Sequence, residues 1–441
     1  MKEYLFAALF ASLLLTGCDS EVFSGYHVKP DGENPNQQTE TSVTAETPPV
    51  TEPALPYDTG WKPADPALNL PVLNLGMTTP EMVQRSVMQT GNRARLAAVM
   101  KKAKAKQPVT VACIGGSITQ GTGASTSNES YFYRNCAWWA KAFPENAANF
   151  NYVNAGIGAT GSYIGVHRAE RDLLSKHPDV VIVEFSVNDT NPARDLESYD
   201  SLVRSILNQP NHPAVMLLFM TQENGTSLAD THSRIGEAYD LPMISYKNAV
   251  MPAIGAGRFT WKDISPDNIH PNSNGHGIIG ELLWNYYNSV LAELDAINTD
   301  HLAFAAEPVG QDKYRNAKLL SAAELTPEKC SGFAAAELHP QFPGNLKTDS
   351  AGEISFETDA ANIGILYQRT VDGRSGQYDV YVDGEQLKTL DGNFKDGWGN
   401  YAEAAEVYAG TAGKHKVTLK KAEASTAEGF GLLGLLVSGG T

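Results

Sequence analysis

Four short blocks hold the residues best suited to chemistry. The first is Gly115-Gly116-Ser117-Ile118-Thr119, where paired glycines permit a sharp turn, so Ser117 is either a presented nucleophile or a plain turn residue. It is not a G-x-S-x-G elbow, because Thr119 replaces the second glycine. No Gly-Lys-Ser/Thr follows, so a phosphate-binding P-loop is not supported. The second block, Asn154-Ala155-Gly156-Ile157-Gly158-Ala159-Thr160-Gly161, contains a literal G-x-G-x-x-G, with Glu184 downstream where a ribose-binding acid would stand. It follows the second strand-like run rather than the first. It therefore reads as a tight turn aiming a backbone N–H at a reacting oxygen, in preference to a dinucleotide site. In Phe185-Ser186-Val187-Asn188-Asp189, Asn188 is either a helix cap or an amide donor to an oxyanion. In Asp267-Asn268-Ile269-His270-Pro271 the carboxylate can hold Nδ1–H of His270 while Nε2 points at a nucleophile. Nucleophile, base, base-orienter and oxyanion donors are together the parts of acyl transfer.

These blocks need a frame, and the apolar pattern supplies one between about 85 and 300. Short apolar runs at 109–114, 150–153, 180–185, 214–219 and 241–244 predict strands. Helix-compatible stretches lie at 93–106, 131–143, 165–176, 199–208 and 233–239, and 280–294 predicts a closing helix. Near-continuous apolar strands alternating with helices imply a parallel sheet covered on both faces. Sites in such sheets lie beyond the carboxyl ends of the strands, which is where the blocks fall.

The order Ser117, Gly/Ala turn, Asn188, Asp267-x-x-His270 closely resembles the SGNH (GDSL-like) hydrolase superfamily over residues 107–290, with Gly-Gly-Ser-Ile-Thr in place of Gly-Asp-Ser-Leu. The resemblance implies a flavodoxin-like three-layer α/β/α domain, Ser117 as nucleophile, His270 as base and Asp267 as triad acid. It also implies an oxyanion hole made by the Ser117 and Ala159 N–H groups and the Asn188 amide. Ala159 stands where the family usually has glycine. No metal and no organic cofactor is required.

Beyond residue 305 the register changes. Runs at 354–356, 363–367, 378–382, 416–419 and 431–437, punctuated by Asp372-Gly373, Asp383-Gly384 and Asp391-Gly392, predict a second, all-β domain of jelly-roll type over 305–441. It is read either as a carbohydrate-binding module with Trp398 and Tyr401 as stacking platforms, or as a structural unit packed on the hydrolase. The Asp-Gly pairs read as hairpin turns in preference to calcium ligands. Residues 60–80, with Leu68, Leu70, Val72 and Leu73, are expected to add a strand to this domain.

Tyr4 to Leu15 is apolar and too short for a bilayer of about 30 Å, but suits a signal-peptide core. Leu15-Thr16-Gly17-Cys18 resembles a bacterial lipobox, which implies a signal peptide over 1–18, a lipidated Cys18 and anchoring at the cell envelope. Residues 19–60, rich in Pro and Thr, read as a disordered tether. Cys113, Cys136 and Cys330 remain and are expected to be buried free thiols. The 441 residues carry 50 Asp and Glu against 34 Lys and Arg, a formal charge of −16, which supplies no basic face for nucleic acid.

The expected function is a surface-tethered serine esterase removing O-acetyl groups from polysaccharide. The alternatives are a lipid acyl-ester hydrolase and a non-catalytic glycan-binding lipoprotein.

Overall fold

Strand Val109–Gly115 is buried at every position, as a strand covered on both faces must be. The computed structural model describes residues 61–65 and 67–440. The signal segment with Cys18 and the tether over 19–60 lie outside the described residues.

The first sheet contains β1 (Val87–Gln89), β2 (Val109–Gly115), β3 (Phe150–Gly156), β4 (Val180–Glu184), β5 (Ala214–Phe219) and β6 (Met243–Ser245), in the order β1-β6-β5-β4-β2-β3. The five strands from β2 to β6 are parallel, while β1 runs antiparallel to β6 at the edge. Counted from β2, the parallel strands stand in the order 2-1-3-4-5, the flavodoxin-like doubly wound arrangement, whose switch point flanks the first strand. Gly115 lies level with Gly156 on one side and Glu184 on the other. Three of the four chemical blocks thus leave the sheet at the same height.

Helices cover both faces, and local caps set several of their ends. Asn191 caps Pro192–Leu207 by accepting from Arg194 N–H, with Pro192 at the first position. That helix begins before the 199 expected from apolar spacing alone. Helix Ser162–Asp172 also starts earlier than predicted, directly after Gly161. The closing helix runs Ser273–Ala292, capped by Asn272, which accepts from Asn274 and Gly275.

The second domain is a nine-stranded, all-antiparallel sheet with a core of its own that includes Ile354, Phe356, Tyr378, Val380 and Leu432. The runs expected at 354–356 and 363–367 are one strand, Glu353–Arg369. The polar stretch between them continues the ladder through bulges at Ala360/Asn362 and Ile363/Gly364. Asp383-Gly384 forms the two-residue turn between Gln377–Val382 and Glu385–Asp391, both residues at positive φ (52° and 86°), as a type I′ hairpin requires.

Residues 61–65 and 67–79 do not form the expected strand of this domain. They strap across the closing helix of the hydrolase instead. Trp61 Nε1 donates to Ser289 Oγ (3.1 Å), Asn288 Nδ2 donates to Pro71 O (2.6 Å), and Leu73 and Met77 pack on the hydrolase core. Leu73 and Met77 supply the apolar contacts of this strap, while Leu68 and Val72 stay exposed, so the apolar residues at 68–73 do not mark a strand with one buried face.

The two domains share apolar packing. Leu366, Ala402, Leu433 and Leu436 of the β-domain are buried in one cluster with Tyr163, Val166 and Ala169 of the hydrolase. Gln341 Nε2 also donates across this junction to Gly156 O (3.2 Å) at the end of β3. The β-domain is therefore packed on the hydrolase. Cys113 and Cys136 are buried free thiols, but Cys330, expected to be buried, is exposed on the short edge strand Lys329–Ser331. Among the described residues no helix is long and apolar enough to cross a membrane.

Candidate active site

Ser117 opens a one-turn helix, Ser117–Gln120, directly after β2. Its turn leaves no room for side chains behind it. A Cβ on Gly115 would lie 2.1 Å from Thr119 Oγ1, and one on Gly116 would lie 2.2 Å from Asn188 Oδ1. Both φ angles are ordinary, so the glycines serve close approach rather than a left-handed backbone.

His270 Nε2 stands 2.9 Å from Ser117 Oγ, and His270 Nδ1 stands 2.8 Å from Asp267 Oδ2. Asp267 Oδ1 accepts the backbone N–H groups of Ile269 and His270, both at 2.7 Å. One carboxylate thus shapes the loop and orients the ring. Burial pushes the Asp267 carboxyl up, but the hydrogen bonds from His270 and Ile269 outweigh it and hold the group below its usual range. The loop is clamped from below: Ser265 Oγ donates towards the carbonyls of Asp267 and His270, both at 2.6 Å, and Trp261 Nε1 donates to Asp267 O at 2.6 Å. Opposite, Gly123 (φ +93°) lets the 121–124 loop approach, since a Cβ there would meet Pro271 O at 2.2 Å.

A second histidine shows the contrast. His276 Nδ1 accepts Tyr131 N–H (3.2 Å), so its Nε2–H donates to Thr122 O (3.1 Å). Burial pushes its pKa down to about 4, keeping it neutral. His276 supports the loop that His270 faces.

The turn after β3 supplies the backbone donor. Gly158 N–H is already given to Gln120 Oε1 (2.8 Å), whereas Ala159 N–H has no protein partner. Ala159 lies at φ +58°, the left-handed region where the family's usual glycine rests without cost. Asn154 ties this turn to the nucleophile helix: its Oδ1 accepts Gly156 N–H and its Nδ2 donates to Thr119 O, both at 2.9 Å. Asn188 does not cap a helix; that task falls to Asn191. Its Oδ1 is buried against Gly116 and its Nδ2 makes no hydrogen bond within the protein. The structure thus brings Ser117, Ala159, Asn188, Asp267 and His270 to one edge of the sheet. Of the supporting residues, Trp261, Ser265 and Gln120 were missed from sequence. Asn154 opened the second sequence block, but without a role; it lies within strand β3, two residues before its end. The G-x-G-x-x-G glycines serve packing: a Cβ at Gly156 would lie 2.3 Å from Gln120 N, and one at Gly161 would lie 2.4 Å from Asp189 Oδ1. Among the described residues no cluster of three His, Cys, Asp or Glu side chains is placed to hold a metal.

A doubly wound sheet with this serine–imidazole–carboxylate edge defines an α/β hydrolytic domain. Residues 113–278 match the GDSL-like lipase/acylhydrolase family. Among solved structures, this chain is similar to a two-domain esterase active on acetylated mannans, co-crystallised with mannopentaose. The identity is 31% and the TM-score 0.73, over 81% of this chain and 98% of that one. A second crystal structure of a two-domain esterase active on acetylated mannans gives 30% identity and a TM-score of 0.74, over 81% of this chain and 99% of that one. No curated protein sequence matches. The chain belongs to the GDSL-like lipase/acylhydrolase family and is an SGNH-type esterase with a second, all-antiparallel β-domain.

Proposed function

We propose that the chain hydrolyses O-acetyl esters on polysaccharide through a Ser117 acyl-enzyme. The observation that carries this reading is the hydrogen-bonded series Ser117–His270–Asp267, at 2.9 and 2.8 Å, beside two unpartnered donors. His270 Nε2 takes the proton of Ser117 Oγ as that oxygen attacks the ester carbonyl. The N–H groups of Ser117 and Ala159 and the Asn188 amide hold the resulting oxyanion. His270 then protonates the leaving sugar hydroxyl, and water, deprotonated by the same ring, releases acetate.

The polysaccharide part rests on the likeness to the acetyl-mannan esterase and on one surface feature. Trp398 is 59% exposed and forms an aromatic cluster with Phe394 and Tyr401, braced from behind by Arg369. Exposed rings in this arrangement suit stacking on sugar faces. Lipidation of Cys18 and envelope anchoring complete the proposal, which for that part rests on the Leu15–Cys18 motif. A non-catalytic scaffold would have no use for this intact site.

Acetate release from acetylated mannan, xylan and pectin tests the reading, with p-nitrophenyl acetate and palmitate as simple esters. Acetate release lost in Ser117→Ala is the expected result. Faster hydrolysis of palmitate than acetate would assign the chain to lipid esters. Cys18→Ala should move the protein from the membrane to the soluble fraction.

A further inference from the structure

Behind the nucleophile turn lies a carboxyl that these steps do not use. Glu184 ends β4 level with Gly115 and is fully buried. Its Oε2 accepts from Thr119 Oγ1 (3.2 Å), and Thr119 shares a 2.7 Å hydrogen bond with the Tyr131 hydroxyl. The Oε1 of Glu184 is buried and meets no hydrogen-bond partner. Thr119 lies on the one-turn helix Ser117–Gln120, so the carboxyl's hydrogen-bond donor sits on the turn that carries the nucleophile.

The charges around it do not favour ionisation. Asp189 faces it from the next loop, Tyr131 from the helix beyond the turn, Tyr199 from helix Pro192–Leu207 and Cys113 from β2. All four are acids. The buried cation Arg168 donates instead to Gly115 O, Ala155 O and Asp172. Glu184 joins no ion pair among the described residues. A dry carboxylate with an unpartnered oxygen is expensive, and burial pushes Glu184 up to about 8.

We propose that Glu184 is a positioning residue, a neutral carboxylic acid that holds Thr119 so that Ser117 stays aligned with His270, and that its ionisation ends catalysis on the alkaline side. This rests on Ser117 being the nucleophile. Protonated, the carboxyl accepts from the turn at no charge cost. Ionised, it draws water and donors towards itself and shifts the turn, and displacements of about 1 Å are worth up to about 10²-fold in rate.

The test is kcat and KM for p-nitrophenyl acetate across pH 6–10 in the full chain, its Glu184→Gln and Glu184→Ala variants, and Ser117→Ala. Glu184→Gln mimics the neutral acid. It should keep the neutral-pH kcat within about threefold and extend the alkaline limb by about one pH unit or more. Glu184→Ala should lose roughly 10²-fold in kcat with KM nearly unchanged. Infrared difference spectra supply a readout without turnover: a protonated-carboxyl band that titrates in the wild type and is missing in Glu184→Gln. That arm decides the matter if Glu184→Ala does not fold. An unchanged alkaline limb in Glu184→Gln, or no titrating band, overturns the proposal. Residual full activity in Ser117→Ala would instead overturn the nucleophile assignment, so the two failures are distinguishable.

Discussion

Gly116 and Asn188 occupy one another's space: a Cβ on the glycine would lie 2.2 Å from Asn188 Oδ1. The residue before the nucleophile therefore has to be bare for the oxyanion amide to reach its place. Asn188→Ala should lower kcat by about 10²–10³ with KM little changed, the loss typical of one oxyanion donor. Gly116→Ala should push the amide aside and cost a comparable amount. The double variant should be no worse than the poorer single one, because both remove the same interaction. Additive losses in a p-nitrophenyl acetate double-mutant cycle would mean the two residues act separately.

Asp267 holds both a ring and a loop. Asp267→Asn keeps an oxygen for the Ile269 and His270 N–H groups but offers the ring N–H a donor in place of an acceptor. A fall in kcat of roughly 10²–10⁴, with the melting temperature nearly retained, is the expected outcome. Asp267→Ala also frees the loop and should lower the melting temperature as well. Steady-state kinetics beside thermal melts distinguish the two.

The left-handed Ala159 makes opposite predictions for two substitutions. Ala159→Gly removes a steric cost of about 1–2 kcal/mol and returns about 0.4–1 kcal/mol in unfolded-chain entropy, for a small net stabilisation. Activity should stay within about threefold, since the donor is backbone. Ala159→Pro deletes the N–H and forbids φ +58°, so turnover should fall by at least about 10²-fold. Denaturant melts and kinetics on the two variants check both outcomes.

Glu184 also shapes stability against pH. Its folded-state value, raised from 4.5 to about 8, means the folded chain keeps a proton that the unfolded chain has released between those values. Stability contributed by this group is therefore greatest below pH 4.5 and declines as pH rises towards 8. Urea midpoints measured over that window should fall less steeply in Glu184→Gln than in the wild type. Parallel slopes would show that Glu184 ionises normally.

The shared cluster predicts that the hydrolase does not stand well alone. Truncation after residue 300 would bare the faces of Tyr163, Val166 and Ala169 that Leu366, Leu433 and Leu436 cover. The shortened protein should aggregate or melt at markedly lower temperature. Leu436→Ala in the full chain should cost about 2–5 kcal/mol. In contrast, Trp398→Ala should weaken polysaccharide binding while leaving p-nitrophenyl acetate hydrolysis intact, since Trp398 is exposed.

The amino-acid order alone determined the parallel sheet and the turns that end its strands, and it marked Ser117, Asn188, Asp267 and His270 as candidates whose roles the resemblance to the SGNH superfamily then assigned. These signals are local: apolar runs, glycine pairs and the three-residue Asp–His spacing. Packing decided the rest. Whether Asn188 capped a helix or stayed open depended on Asn191 taking the cap. The course of residues 67–79 depended on the closing helix, whose Asn288 bonds Pro71, and on the hydrolase core, which receives Leu73 and Met77. The reach of His270 to Ser117, 153 positions away, depended on Trp261 and Ser265 holding its loop and on Gly123 giving it room. Long-range contacts of this kind leave no periodic mark in a single sequence, because any residue of suitable size and polarity can supply them.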